Sequence, residues 1–411
     1  MVQSSDLFTG ATPIRPEQNT KVLQTMTSTP IRPLCFYLPQ FHPVPENDEW
    51  WGKGFTEWRN VVKAKPLFPG HQQPQLPRDL GFYDLRVPES REAQAVLARK
   101  YGVYGFCYYH YWFNGRRILE RPVDDILSLG KPDFPFCLCW ANENWTRRWD
   151  GEEQHVLLRQ VYSPEDDLAH LRELARYFRD KRYIRVEGKP LFLVYRASNL
   201  PDPKGTVARW RREAQRLGFP GIYVCNVESI PADKGLTLTA EFDAAVEFAP
   251  DWEFLPSPFR PFSGMPNRLR KHLTRSVWWN NRVYDYRALR DAMLAKPAVS
   301  YLRYPCVTPS WDNSPRKKDD AIILRNATPE AYGQWLTSVV ERFRPHSSEE
   351  NFIFINAWNE WAEGCHLEPC LRWGSEYLEA TFRALADNGH VEVKHRDKVL
   401  QREPQEILST D

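Results

Sequence analysis

No apolar run in this chain approaches the roughly 18–20 residues that a membrane-spanning helix needs. The opening stretch, "MVQSSDLFTGATPIRPEQNTKVLQTMTSTP", lacks the apolar centre of a secretory signal. These two absences predict a cytoplasmic protein without a transmembrane segment, carrying a polar N-terminal arm over residues 1–30. Excess charge is missing as well. Lys and Arg number 55 against 53 Asp and Glu, a net charge of +2, and no long block has one sign. A balance of that kind does not call for nucleic acid, and none is expected as a partner. Methionine is scarce, with only 4 in 411 residues, so the core must be built from other side chains.

Chemical signatures are absent too. There is no HExxH or HxH spacing, no DxD run, no GxSxG elbow and no phosphate-binding loop. Neither a metal nor an organic cofactor is expected. The 8 Cys form no disulfide framework. Cys35, Cys107, Cys137, Cys139, Cys225 and Cys306 lie in or beside apolar runs, where a thiol acts as a small hydrophobe. Cys137 and Cys139 lack the two-residue spacer of a zinc hook, and Cys365 and Cys370 are weak candidates for a metal. The usage fits a reducing compartment.

Aromatic residues are plentiful, at 14% with 16 Trp. They suit either thick core walls or platforms for the faces of ring-shaped ligands. From residue 33 onward, short apolar runs alternate with stretches of helical periodicity. The runs are "PLCFYLP" (33–39), "VYGFCYYHYW" (103–112), "FPFCLCWANENW" (134–145), "KPLFLVYRA" (189–197), "GIYVCNVES" (221–229), "DAAVEFAP" (243–250), "YPCVTPSWDN" (304–313) and "NFIFINAWNEW" (351–361). Helical patterns include "SREAQAVLARKYG", with Ser90 as a cap and Gly102 as a stop, and a closing "GSEYLEATFRALADNG" stopped by Gly389. The runs are continuously apolar, as parallel strands covered on both faces should be. Eight strand–helix units predict a (β/α)8 TIM barrel with long aromatic-rich βα loops. A doubly wound open sheet is the alternative, weakened by the lack of a glycine-rich phosphate turn.

Polar side chains gather where these strands end, the rim on which barrel enzymes place their chemistry. Strand one ends at Tyr37, Gln40 and His42; strand two at His110, Trp112 and Asn114; strand three at Trp140, Asn142, Glu143, Asn144 and Trp145. Asn226 and Glu228 follow strand five, Glu247 strand six, and Trp311, Asp312 and Asn313 strand seven. Strand eight ends in "INAWNEWAEGCHLEP", where Trp358, Asn359 and Trp361 surround two acids, Glu360 and Glu363. Singly, each is as readily a cap or loop contact. Together they describe a pocket of amides, carboxylates and indoles fit for a hydroxyl-rich ligand. A carboxylate pair can divide acid and base roles at a glycosidic bond. At i and i+3 on a helical turn the two share a face, and their mutual repulsion would push one pKa upward. Glu143, Glu247 and Asp312 are further acid candidates, Glu143 first because it sits in "WANENW".

The stretches "FYLPQFHPVPENDEWWGKGFTEWRNV", "GFCYYHYWFNGRRILERPVDDIL", "FCLCWANENWTRRWDG" and "NAWNEWAEGCHLEP" resemble the WbsX-type family. The resemblance covers about residues 31–390, leaving 1–30 as an arm and 391–411 as a tail. That family is labelled glycosyltransferase or lipopolysaccharide biosynthesis protein and described as having a glycoside hydrolase family 99-like domain. Family 99 comprises endo-acting α-mannosidases and mannanases on a (β/α)8 barrel. Its N-E-W-H-E-G motif is matched by N-E-W-A-E-G at 359–364, with Ala362 in place of His. The resemblance implies that Glu360 deprotonates the sugar 2-hydroxyl to form a 1,2-anhydro sugar. It implies that Glu363 is the general acid and later the base that activates water.

The leading expectation is therefore a retaining glycoside hydrolase or transglycosylase on an α-linked, mannose-type bacterial polysaccharide. A glycosyltransferase of surface-polysaccharide assembly and a non-catalytic carbohydrate-binding protein are the alternatives. The basic, aromatic "MPNRLRKHLTRSVWWNNR" (265–282) reads as a solvated amphipathic helix, or as a lid meeting a phosphate-bearing glycan or a membrane surface.

Overall fold

A computed structural model of the chain describes residues 29–147, 152–260, 280–317 and 319–391. Nearly all of the N-terminal arm, the tail beyond 391 and the basic segment up to residue 279 lie outside the described residues.

The apolar runs form a ring of parallel strands. They are β1 (Arg32–Tyr37), β2 (Gly105–Phe113), β3 (Phe136–Trp140), β4 (Lys189–Val194), β5 (Tyr223–Glu228) and β6 (Ala244–Glu247). Strand β7 comes in two pieces, Arg303–Tyr304 and Cys306–Val307, and β8 is Phe352–Ile355. Each strand pairs in parallel with the next, from Leu34 beside Gly105 round to Ala244 beside Cys225. The first piece of β7 lies against β6 and the second against β8, which returns to β1 through Cys35 and Ile355. The break falls at Pro305, which has no N–H to give to a ladder, while its carbonyl still accepts from Phe354 N at 2.8 Å. Nine strand segments thus make a nearly closed eight-stranded barrel.

The helices that follow are α1 (Pro88–Lys100), α2 (Arg121–Leu129), α3 (Pro164–Phe178), α4 (Pro203–Arg216), the single turn α5 (Leu236–Thr239), α6 (Tyr286–Leu294), α7 (Pro329–Arg342) and α8 (Glu376–Ala386). The fold is a (β/α)8 TIM barrel, with helices against the outward side chains of the strands. Every residue of β2 is buried, which is why its sequence does not alternate.

Local signals set the helix ends. Ser163, Asp202 and Thr328 each accept from a backbone N–H of the first turn of α3, α4 and α7. Ser90 does not cap α1. The helix begins two residues earlier, at Pro88, whose fixed φ suits a first helical position. Gly102 does end it: its φ is +82°, and a Cβ there would lie 3.0 Å from the Val391 side chain. No helix among the described residues is long and apolar enough to cross a membrane.

Candidate active site

A strand turns successive side chains to opposite faces, so only alternate residues of β2 can look into the barrel mouth. Those are Tyr109 and Tyr111, which line a cavity of about 490 Å³ at the C-terminal rim. His110 and Trp112 point the other way. The His110 Nε2 lies 3.0 Å from His170 Nε2 on α3, and the Trp112 indole donates to Asp166 at 3.0 Å. The same alternation removes Tyr37, whose hydroxyl donates to Gln94 of α1 at 2.6 Å, and leaves Leu38 facing the cavity. It also removes Trp140, which donates to the Trp112 carbonyl and packs edge-on against His170.

Other predicted residues hold the rim together rather than line it. Asn142 exchanges two 2.8 Å bonds with the backbone of Arg196, tying the loops after β3 and β4. Asn359 accepts from Leu38 N at 2.8 Å and donates to Leu38 O, joining the β8 loop to β1. Trp358 is fully buried against Phe106. Trp361 stacks on His366 and donates to Glu368 at 2.7 Å. Trp311 is buried edge-on against Trp252. Glu247 is 2.6 Å from Lys296, and Asp312 is 2.6 Å from His71 and 2.8 Å from Gln73. His42 is buried outside the lining, and burial lowers its pKa to about 4. The expectation that Trp358 and Trp361 wall a ligand site is thus corrected. A chain leaving a strand mouth needs large side chains to seal the top of the core.

Gln40, Glu143, Trp145, Glu360 and Glu363 do line the cavity. Its floor is aromatic, with Tyr109 and Tyr195 at 5.8 Å between ring centroids and Tyr195 and Phe248 at 5.5 Å. Its rim carries Trp50 and Trp51, from the short helix Pro45–Trp51 of the long loop after β1. Trp145 meets Trp50 edge-on at 5.7 Å and is backed by Tyr111 at 5.2 Å. Glu143 pairs with Arg196 at 3.1 Å. The buried Asn47 lines the cavity with an amide nitrogen that meets no hydrogen-bond partner within the protein.

The acid pair sits on a tight hairpin. Asn359–Glu360 pairs antiparallel with Cys365–His366, and a 3₁₀ turn, Trp361–Glu363, joins them. In a 3₁₀ turn residues i and i+3 eclipse, so Glu360 and Glu363 emerge on one side. Gly364 closes the turn at φ +57°, and a Cβ there would lie 3.0 Å from Asp312 Cβ and from Gln75 Nε2. The Asp312 N–H donates to the Glu363 carbonyl at 2.6 Å, so Asp312 supports this turn from behind.

Between the two acids stands Arg316, from the loop after β7. Its guanidinium reaches Glu363 at 2.7 Å, Glu360 at 3.1 Å and Glu57 at 3.1 Å. Burial opposes the Arg316 charge, yet Glu57, Glu360 and Glu363 together hold its pKa well above the ordinary value. Burial raises Glu360 to about 8; Arg316 counters this, and Glu363 and Glu57 add to it. Behind the hairpin, burial lifts Glu368 to about 7 against donation from Trp361, Gln94 and Tyr83. Glu57, Arg316 and Glu368 escaped the sequence reading. Glu57 lies in "GFTEW", where an acid among aromatics was a signal; Arg316, in "NSPRKKDD", gave none.

Cys365 contacts the Asn356 carbonyl and Thr308, while Cys370 accepts from Trp373 N. All eight cysteines are free. No group of three or more potential metal ligands occurs among the described residues.

The carboxylate pair and the aromatic walls thus stand on the C-terminal rim, where TIM barrels carry their sites. The model of the family described as glycosyltransferase WbsX matches residues 33–381, and the chain belongs to that family. It is 45% identical over 373 residues to the uncharacterized protein WxcX of Xanthomonas campestris pv. campestris strain B100, covering 90% of this chain and 51% of that protein. The WxcX protein of a second strain of the same pathovar is 46% identical over 357 residues, with 86% and 49% covered. The chain thus spans about half the length of the curated relatives it matches. Among solved structures, the GH99 endo-alpha-mannosidase from Bacteroides thetaiotaomicron superposes with a TM-score of 0.51 at 14% identity, over 90% of this chain and 98% of that one. A glycoside hydrolase-like protein gives a TM-score of 0.53 at 13% identity, over 92% and 97%. At such identities the likeness is one of fold.

Proposed function

We propose that this chain is a retaining glycoside hydrolase or transglycosylase acting on an α-linked, mannose-type bacterial polysaccharide, with Glu360 and Glu363 as its catalytic acids. The observation that carries this reading is their convergence on one guanidinium at the edge of an aromatic-floored cavity. In the first step the Glu360 carboxylate takes the proton of the sugar 2-hydroxyl. The freed oxygen attacks C1, and the leaving oxygen departs with the proton of Glu363. In the second step Glu363 takes a proton from water, whose oxygen opens the 1,2-anhydro ring at C1, and Glu360 returns its proton to O2. Two displacements at C1 retain the configuration. The catalytic domain of this reading runs over residues 31–390, flanked by the arm 1–30 and the tail 391–411.

A glycosyltransferase role is the second reading, favoured by the description of the matching family. Transfer from a lipid-linked or glycoside donor would use the same acid pair. A panel of α-linked oligosaccharides and nucleotide sugars, with products read by mass spectrometry, separates the two. Cleavage or transfer from an oligosaccharide supports the proposal; transfer from nucleotide sugars alone overturns its mechanism. The aromatic rim has its own test. Trp145→Ala should raise KM for the active oligosaccharide about five- to tenfold in steady-state kinetics with little change in kcat, the loss expected for one ring platform.

A further inference from the structure

The loop after β1 sends a third carboxylate, Glu57, to the guanidinium that the acid pair shares. Glu57 is fully buried, just before the short helix Trp58–Lys63. One of its oxygens takes the Nε of Arg316 at 3.1 Å, and the other, also buried, meets no hydrogen-bond partner within the protein. Burying a carboxylate in this way costs free energy unless a cation compensates it. Here that cation is the guanidinium whose two other nitrogens face Glu360 and Glu363. A planar guanidinium with all three nitrogens engaged cannot rotate without breaking a charge-assisted bond.

We propose that Glu57 and Arg316 are positioning residues: Glu57 fixes the guanidinium, and the guanidinium holds Glu360 and Glu363 on one wall with its positive charge between them. As a claim about catalysis this rests on the acid pair proposed above; as a claim about the cluster it stands on geometry alone. The titratable and charged groups facing Glu360 are Glu57 and Arg316 from the two loops, Glu363 from its own turn, Tyr109 and Tyr111 from β2, and Cys365 behind. Arg316 favours the ionised form of Glu360, and Glu57 and Glu363 disfavour it. The two positioning residues therefore push in opposite directions.

The test is a carbon-13 NMR titration of side-chain-labelled glutamate, with the Glu360 signal identified by its loss in Glu360→Gln. Arg316→Gln should move the Glu360 midpoint up by about one unit or more, and Glu57→Gln should move it down. Arg316→Lys keeps the charge without the fork and should bring the midpoint back toward the wild-type value, even if the glutamine variant fails to fold. A midpoint that stays put in both glutamine variants, or shifts the same way in both, overturns the proposal. The titration needs no substrate. Opposite shifts in a chain that cleaves no glycan would sink the functional reading and leave the positioning of the cluster intact.

Discussion

Glu363→Gln should lose at least about a hundredfold in turnover of glycosides with poor leaving groups, yet keep first-step activity on activated ones such as α-glycosyl fluorides. A general acid contributes roughly 10²–10⁴-fold when the leaving oxygen needs a proton, and fluoride needs none. Glutamine keeps the size of the side chain and one acceptor for Arg316, which stands 2.7 Å from Glu363. Glu360→Gln should impair both substrate types, because the base is required however good the leaving group. Fluoride release followed by fluorine NMR, beside oligosaccharide cleavage, reads both variants. Equal and small effects on the two substrates for both variants would remove the assignment of roles.

The second large effect is on pH dependence. Burial holds the Glu360 carboxyl up at about 8, so it carries its proton at neutral pH. A base must be ionised to act, and the ionised fraction grows as pH rises toward that value. On a substrate with an activated leaving group, which needs no general acid, kcat/KM reports the free enzyme's base and should therefore climb with pH from 6 to near 8, then level. Glu57→Gln, by lowering the Glu360 midpoint, should shift this limb to lower pH. If kcat/KM instead falls through pH 8, Glu360 is the proton donor and the roles of the two glutamates are exchanged. A pH–rate profile on a substrate with an activated leaving group isolates the base limb.

How far the sequence reveals these features depends on where the forces act. The barrel was legible because strands buried on both faces must be apolar throughout, and "FCYYHYWF" or "NFIFI" can satisfy little else. The acid pair was legible because both members lie in one motif and one turn. The neighbours were misread where a run of polar and aromatic residues hides its alternation: Tyr109 and Tyr111 face the cavity, while His110 and Trp112 serve the helix interface. Tryptophans near the acids were assigned to the ligand, but Trp358 and Trp361 seal the core, and the rim is built by Trp50, Trp51 and Trp145. Arg316 and Glu57 were out of reach for another reason. Their contact spans 259 residues of chain, and nothing local to either predicts it.

The central claim is that Glu360 and Glu363 act in turn at one anomeric carbon. Time-resolved proton NMR of the first product, formed by the wild-type chain from an α-linked oligosaccharide that it cleaves, tests it most directly. The account predicts that the α-anomer appears first and only later equilibrates with the β-anomer, as two displacements require. A β-anomer as first product would mean a single displacement by water, and the roles given to this carboxylate pair would be wrong.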